Sequence, residues 1–307
     1  MSFQDCPEAD CQTAKDADAS VIQVIEPRTR DLGGFTVGRV LPVAKRRNLG
    51  PFVFLDQMGP TTFGPDRDFE VRAHPHIGLA TVTYLWDGWM QHKDSLGNDL
   101  AIRPGALNLM TAGRGIVHVE RNRAADRPNG TTRLYGFQVW IALPQSAEEG
   151  DPAFVHHPAE DLPAISGPGW QGRVVLGRAF DAASPVATAS ETLYVDLALE
   201  AGASLEIPPA AAERGLLLVE GKARLDDTAY NPQRLLVLAE GSRPLLRAEE
   251  ALRVLLIGGA PLDGPRHLWW NFVSSSKERI EQAKADWRAG RFDEVAGESD
   301  FIPLPED

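Results

Sequence analysis

Arg133-Leu-Tyr-Gly-Phe-Gln-Val-Trp-Ile-Ala-Leu143 is the stretch that sets the fold class, because its later part alternates strictly. Phe137, Val139 and Ile141 point one way and Gln138 and Trp140 the other, the period-two pattern of a strand with one buried face. Outward from it, from about Val21 to Phe272, the chain is a succession of short apolar or alternating runs punctuated by Gly, Pro, Asp and Asn. The runs read as strands are Gly34 to Val40, Phe52 to Leu55, Ala80 to Trp86, Leu107 to Met110, Arg133 to Leu143, Arg173 to Leu176, Thr192 to Leu199, Leu216 to Val219, Leu235 to Leu238 and Leu252 to Ile257. That grammar predicts an antiparallel all-β protein. One helix is expected, over about 276–289: Ser275 and Glu278 form a capping box, Ile280, Ala283 and Trp287 share a face, and Gly290 supplies the stop. Trp269, Trp270 and Phe272 precede it, so the tail is expected to dock rather than dangle.

Periodicity lapses between Pro144 and Gly169, and a second β series follows, which suggests two β-barrels or sandwiches in tandem. The expected division is a flexible acidic leader over 1–20, a first unit over 21–150, a linker over 151–169, a second unit over 170–262 and a tail over 263–307. The chain has 307 residues and a formal net charge of −12, a balance that repels nucleic acid; Lys45-Arg46-Arg47 reads as a solvated loop. Its apolar runs are far shorter than the roughly 18–20 residues that cross a bilayer. The polar start does not read as a secretory signal, so a cytoplasmic protein without membrane contact is expected. Cys6 and Cys11 are the only cysteines, which excludes a disulfide framework and a four-cysteine zinc site.

Two segments carry candidate metal ligands two residues apart, His74-Pro75-His76 and His118-Val119-Glu120. In an extended strand, side chains at i and i+2 leave the same face about 6.5–7 Å apart, so each pair can converge on one ion. Brought together they would offer three imidazoles and a carboxylate, a donor set suited to Fe, Mn, Co, Ni or Cu that leaves coordination positions open. The alternative is that the histidines flank a turn and that His118 and Glu120 are an exposed strand pair. His92 reads as a surface hairpin residue; His156, His157 and His267 read as bland. Phe54, Met110, Phe137 and Trp140 could line a cavity or simply fill a core.

These residues lie in a wider pattern: His74-Pro-His-Ile-Gly78, Thr81-Val-Thr-Tyr-Leu85, His92-Lys-Asp-Ser-Leu-Gly97, Met110-Thr-Ala-Gly-Arg-Gly-Ile-Val-His118-Val-Glu120 and Trp269-Trp-Asn-Phe-Val-Ser274. From about Arg28 to its end the chain resembles the pirin family of the cupin superfamily. The resemblance implies a bicupin, two cupin-type barrels with one divalent metal per chain, usually iron, in the N-terminal barrel. It assigns His74, His76, His118 and Glu120 as ligands. The C-terminal barrel is expected to hold no metal, since no histidine occurs from 158 to 266. The implied activity is oxygen-dependent ring cleavage of a flavonol such as quercetin, with Glu120 as ligand or catalytic base and dioxygen as cosubstrate. The same family resemblance also implies a different role, metal-dependent binding of protein partners. Ala80, and Asn108-Leu109, depart from the family pattern beside the expected pocket. Gly113 and Gly115 are expected to let the chain turn and aim His118 inward.

Overall fold

The computed structural model describes residues 20–31, 35–127 and 130–306. Eight of the ten runs read as strands lie wholly within a strand; of the other two, the first corresponds to Thr36–Leu41 and the run ending at Leu143 to Thr132–Ala142. Most of the described strands lie in four sheets, two of seven strands and two of four. A seven-stranded sheet runs in the order Ala153–His157, Leu107–Thr111, Leu79–Asp87, Thr132–Ala142, Phe52–Phe63, Thr36–Leu41, Arg28–Asp31. It is accompanied by a four-stranded sheet in the order Phe69–His76, Ile116–Asn122, Met90–Asp94, Asp99–Ile102. The second barrel repeats the plan: a seven-stranded sheet centred on Glu213–Glu220, Leu252–Gly259 and Thr192–Leu199, and a four-stranded sheet of Ser204–Glu206, Leu245–Ala248, Ala223–Leu225 and Thr228–Tyr230. The all-β bicupin is therefore the observed architecture.

The strand Thr132–Ala142 shows why its alternation is so strict. Phe137, Val139 and Ile141 pack with Leu55 and Val82 against Val175, Tyr194, Leu217, Leu235, Leu255 and Ile257 of the second barrel, forming one core between the two large sheets. The alternation left the opposite side unassigned. There Trp140 is buried and Gln138 half-buried, because that side faces the interior of the first barrel. Directly opposed residues of an antiparallel sheet share a face. The register therefore lays Arg39, Asp56, Gln138, Thr83, Asn108 and His156 in one row across the sheet. Phe54, Trp140, Thr81, Met110 and Phe154 form the next row on the same face.

Three boundaries differ from expectation. Val21–Ile25 pairs with Arg234–Leu238 and so joins the second barrel's sheet, burying Val21 and Ile25 there. The linker region contributes structure to both units: Ala153–His157 pairs with Leu107–Thr111, and Ala164–Gly167 with Trp170–Leu176. The helix spans Lys277–Arg288, and Ser276, not Ser275, caps it by accepting from the Arg279 N–H. Its Ile280 and Ala283 pack on Ile77 and Phe272, which seats the tail against the first barrel. Residues 1–19, with Cys6 and Cys11, and Gly34 lie outside the described residues. Among those described, no helix is long and apolar enough to cross a membrane.

Candidate metal centre

The four-stranded sheet of the first barrel assembles the site. Ile116–Asn122 lies between Phe69–His76 and Met90–Asp94, with His118 opposite His74 on one side and Asp94 on the other. This register brings His74, His76 and His118 together, all buried, with ring nitrogens within 4.8 Å of one another. His74 Nδ1 lies 2.8 Å from the Arg72 carbonyl, and His76 Nδ1 lies 3.1 Å from the Asn271 carbonyl. A carbonyl only accepts, so both rings carry their proton on Nδ1 and present a bare Nε2. His76 Nε2 stands 3.1 Å from His118 Nε2. Burial pushes the His74 pKa down to about 4. Burial, reinforced by the neighbouring imidazoles, holds His76 and His118 well below the usual histidine range. Uncharged nitrogens converging in a buried space form a donor set that fits a divalent transition metal.

Glu120 is buried two residues beyond His118, but outside that nitrogen cluster. Its carboxylate accepts from Gln138 Nε2 at 2.5 Å, and burial pushes its pKa up to about 7 despite that hydrogen bond. The structure thus groups three of the four expected ligands and leaves Glu120 outside that group, in contact with Gln138. On the large-sheet side, Phe54 and Trp140 stack with centroids 4.0 Å apart at 13°, and Trp140 lies 5.2 Å from His76, centroid to centroid. Arg39 covers Phe54 at 4.4 Å and forms a paired contact with Asp56 at 2.9 and 2.8 Å. Trp140 Nε1 is buried without a hydrogen-bond partner. Phe54, Trp140 and Met110 are therefore on the site side, whereas Phe137 belongs to the core between barrels.

Two histidines not expected at the site, His92 and His156, are close to it. His92 is buried, its ring stacked on Phe154 at 4.6 Å and 19°. The available signal was its own strand: Met90, His92 and Asp94 alternate inward. His156 contacts Asn108, Nδ1 to Oδ1, at 2.7 Å, so a departure from the family pattern is matched by a residue of the former linker. His157 and His267 stand apart from the cluster. Gly113 and Gly115 have different reasons to be glycine. Gly113 has φ +50, and a Cβ there would meet the Gly150 carbonyl at 2.1 Å; Gly115 instead clears the Phe292 ring, which a Cβ would approach to 3.0 Å.

The family models for pirin and for the pirin C-terminal cupin domain match residues 34–141 and 194–293. The chain belongs to the pirin family. A pirin-like protein of Caulobacter vibrioides is 46% identical over 290 residues, covering 92% of this chain and 99% of the relative. Human pirin is 32% identical, covering 83% and 87%. Among solved structures, a quercetin 2,3-dioxygenase from Acinetobacter baumannii superposes with a TM-score of 0.86 at 34% identity, covering 94% of this chain and 96% of that one. The pirin bicupin expected from the motifs is thus established, and its buried histidines form a site able to hold a divalent metal.

Proposed function

We propose that this pirin is a metal-dependent dioxygenase that opens the heterocycle of quercetin-like flavonols at a single iron(II) held by His74, His76, His118 and Glu120. The observation that carries the reading is the convergence of three buried, uncharged imidazoles, two with their protons engaged by backbone carbonyls. The A. baumannii relative's name supports the substrate class. The stacked Phe54–Trp140 pair supplies an aromatic wall beside His76, and Trp140 Nε1 a donor for a substrate oxygen.

When bound, the metal supplies a Lewis-acidic position at which the 3-hydroxyl and 4-carbonyl oxygens of a flavonol chelate and the hydroxyl becomes more acidic. Glu120, buried two residues beyond His118, serves either as a ligand of the ion or as the base that takes the hydroxyl proton. Gln138 holds that carboxylate in place. The burial of the site limits competing water. The flavonol and dioxygen go to a ring-opened ester and carbon monoxide. Iron(II)-loaded protein given quercetin should consume dioxygen and release equimolar carbon monoxide. Stoichiometric iron without oxygen uptake would exclude the reaction and favour the metal-dependent protein-binding role.

A further inference from the structure

His118 differs from its two neighbours in what faces its Nδ1. His74 and His76 each meet a backbone carbonyl, which can only accept. His118 Nδ1 meets another imidazole nitrogen, His92 Nδ1, at 3.4 Å. Either ring could be the donor there. Only one choice leaves His118 Nε2 bare, and the decision is made one residue further out.

His92 Nε2 lies 3.1 Å from Asp94 Oδ2. Asp94 is buried and already accepts from the backbone N–H groups of Leu96 and Asn98, each at 3.0 Å, and from the Asn98 side-chain amide at 2.8 Å. Three donors besides His92 converge on this carboxylate and keep it an acceptor, so the proton between it and His92 sits on His92 Nε2. In the neutral ring His92 Nδ1 is then a lone pair. His118 has two acceptors within reach, His92 Nδ1 at 3.4 Å and the bare His76 Nε2 at 3.1 Å, and donation of its Nδ1–H to His92 is the one that leaves His118 Nε2 bare for a cation. The reverse assignment would set a His92 lone pair directly against a carboxylate oxygen at 3.1 Å.

We infer that His92 and Asp94 are positioning residues whose hydrogen-bond chain fixes the tautomer and ring orientation of His118, so that its Nε2 is presented to the metal. The inference rests on the metal-site reading above for its purpose, but the tautomers themselves belong to the metal-free protein. The stack of His92 on Phe154 holds the intermediate ring in plane, which gives the strand Ala153–His157 a part in the site. Partners of this kind, which orient a ligand without touching the ion, alter metal affinity by about 10–100-fold when removed.

The test combines long-range proton–nitrogen NMR of the histidine rings in the metal-free protein with chelator competition for zinc(II), used as a diamagnetic probe. Wild-type spectra should show Nδ1–H on His118 and Nε2–H on His92. Asp94→Asn keeps the size and one acceptor oxygen but turns a donor toward His92. It should invert both tautomers and weaken zinc binding by about 10–100-fold. His92→Phe, which preserves the stack but offers no acceptor, should weaken zinc binding to a similar degree. Nε2–H on His118 in the wild type would overturn the inference without any variant having to fold. Unchanged tautomers or unchanged zinc affinity in Asp94→Asn would overturn it as well. A wild-type protein with the expected tautomers that binds no zinc, iron or nickel would instead count against the metal reading.

Discussion

At the scale of single residues, the site separates two kinds of buried ionisable group. The imidazoles are uncharged well below neutrality, so a metal entering at pH 7 displaces no proton from them; Glu120, near 7, is about half protonated there. Metal binding that engages Glu120 should release about half a proton at pH 7, read by calorimetry in buffers of different ionisation enthalpy. Affinity should fall as pH drops below about 7, as a proton competes at Glu120, and His74 adds to that loss only near pH 4. Gln138 lowers the Glu120 pKa, so Gln138→Leu should move the acid loss to higher pH and bring proton release at pH 7 closer to one. No change in either would detach Glu120 from the metal. The ligand pairs were legible from residue spacing because i and i+2 share a strand face whatever the tertiary fold. His92 was not, since its role comes from cross-strand register: Glu120 sits opposite His92, and His118 opposite Asp94. A single sequence does not display that register.

At the scale of elements, the C-terminal segment completes a site to which it contributes no side chain. Phe272 forms a bridge with Ile77 and stacks on Phe292 at 6.1 Å, placing the Asn271 carbonyl against His76. Arg266 pairs with Glu148 at 2.7 Å, and Glu148 accepts from the Ser275 N–H, so the segment is tied at both ends. Phe272 is fully buried, and Phe272→Ala should cost about 3–5 kcal/mol in denaturant unfolding. It should also weaken metal retention in chelator competition, since the carbonyl that fixes the His76 tautomer loses its anchor. Full stability loss with unchanged metal affinity would show that the tail only packs. The tail's docking was readable from its aromatic residues. Its link to His76 was not, because a backbone carbonyl has no residue-type signature.

At the scale of the molecule, the two barrels share one core, and a polar cluster fastens its edge. Asp196 of the second barrel accepts from Tyr84 and Trp86 of the first and pairs with Arg253, whose guanidinium lies 3.7 Å over the Trp86 ring. Asp196→Ala leaves these donors without their acceptor at the edge of an open cavity and should lower stability by about 1–3 kcal/mol, measured by denaturation of the whole chain. A loss below about 0.5 kcal/mol, the level of an ordinary surface substitution, would mean the apolar core alone holds the barrels together. The alternation in 133–143 foretold a strand with one apolar face, yet could not say that this face meets the second barrel while the other meets the site. Period-two patterning reports which side of a strand is apolar, not what it packs against. The central claim, one divalent metal held by buried imidazoles from two strands, is tested most directly by elemental analysis of the purified wild type and His118→Ala. One equivalent of metal per chain that is lost in the variant is the expected result; a full equivalent retained in His118→Ala would contradict it.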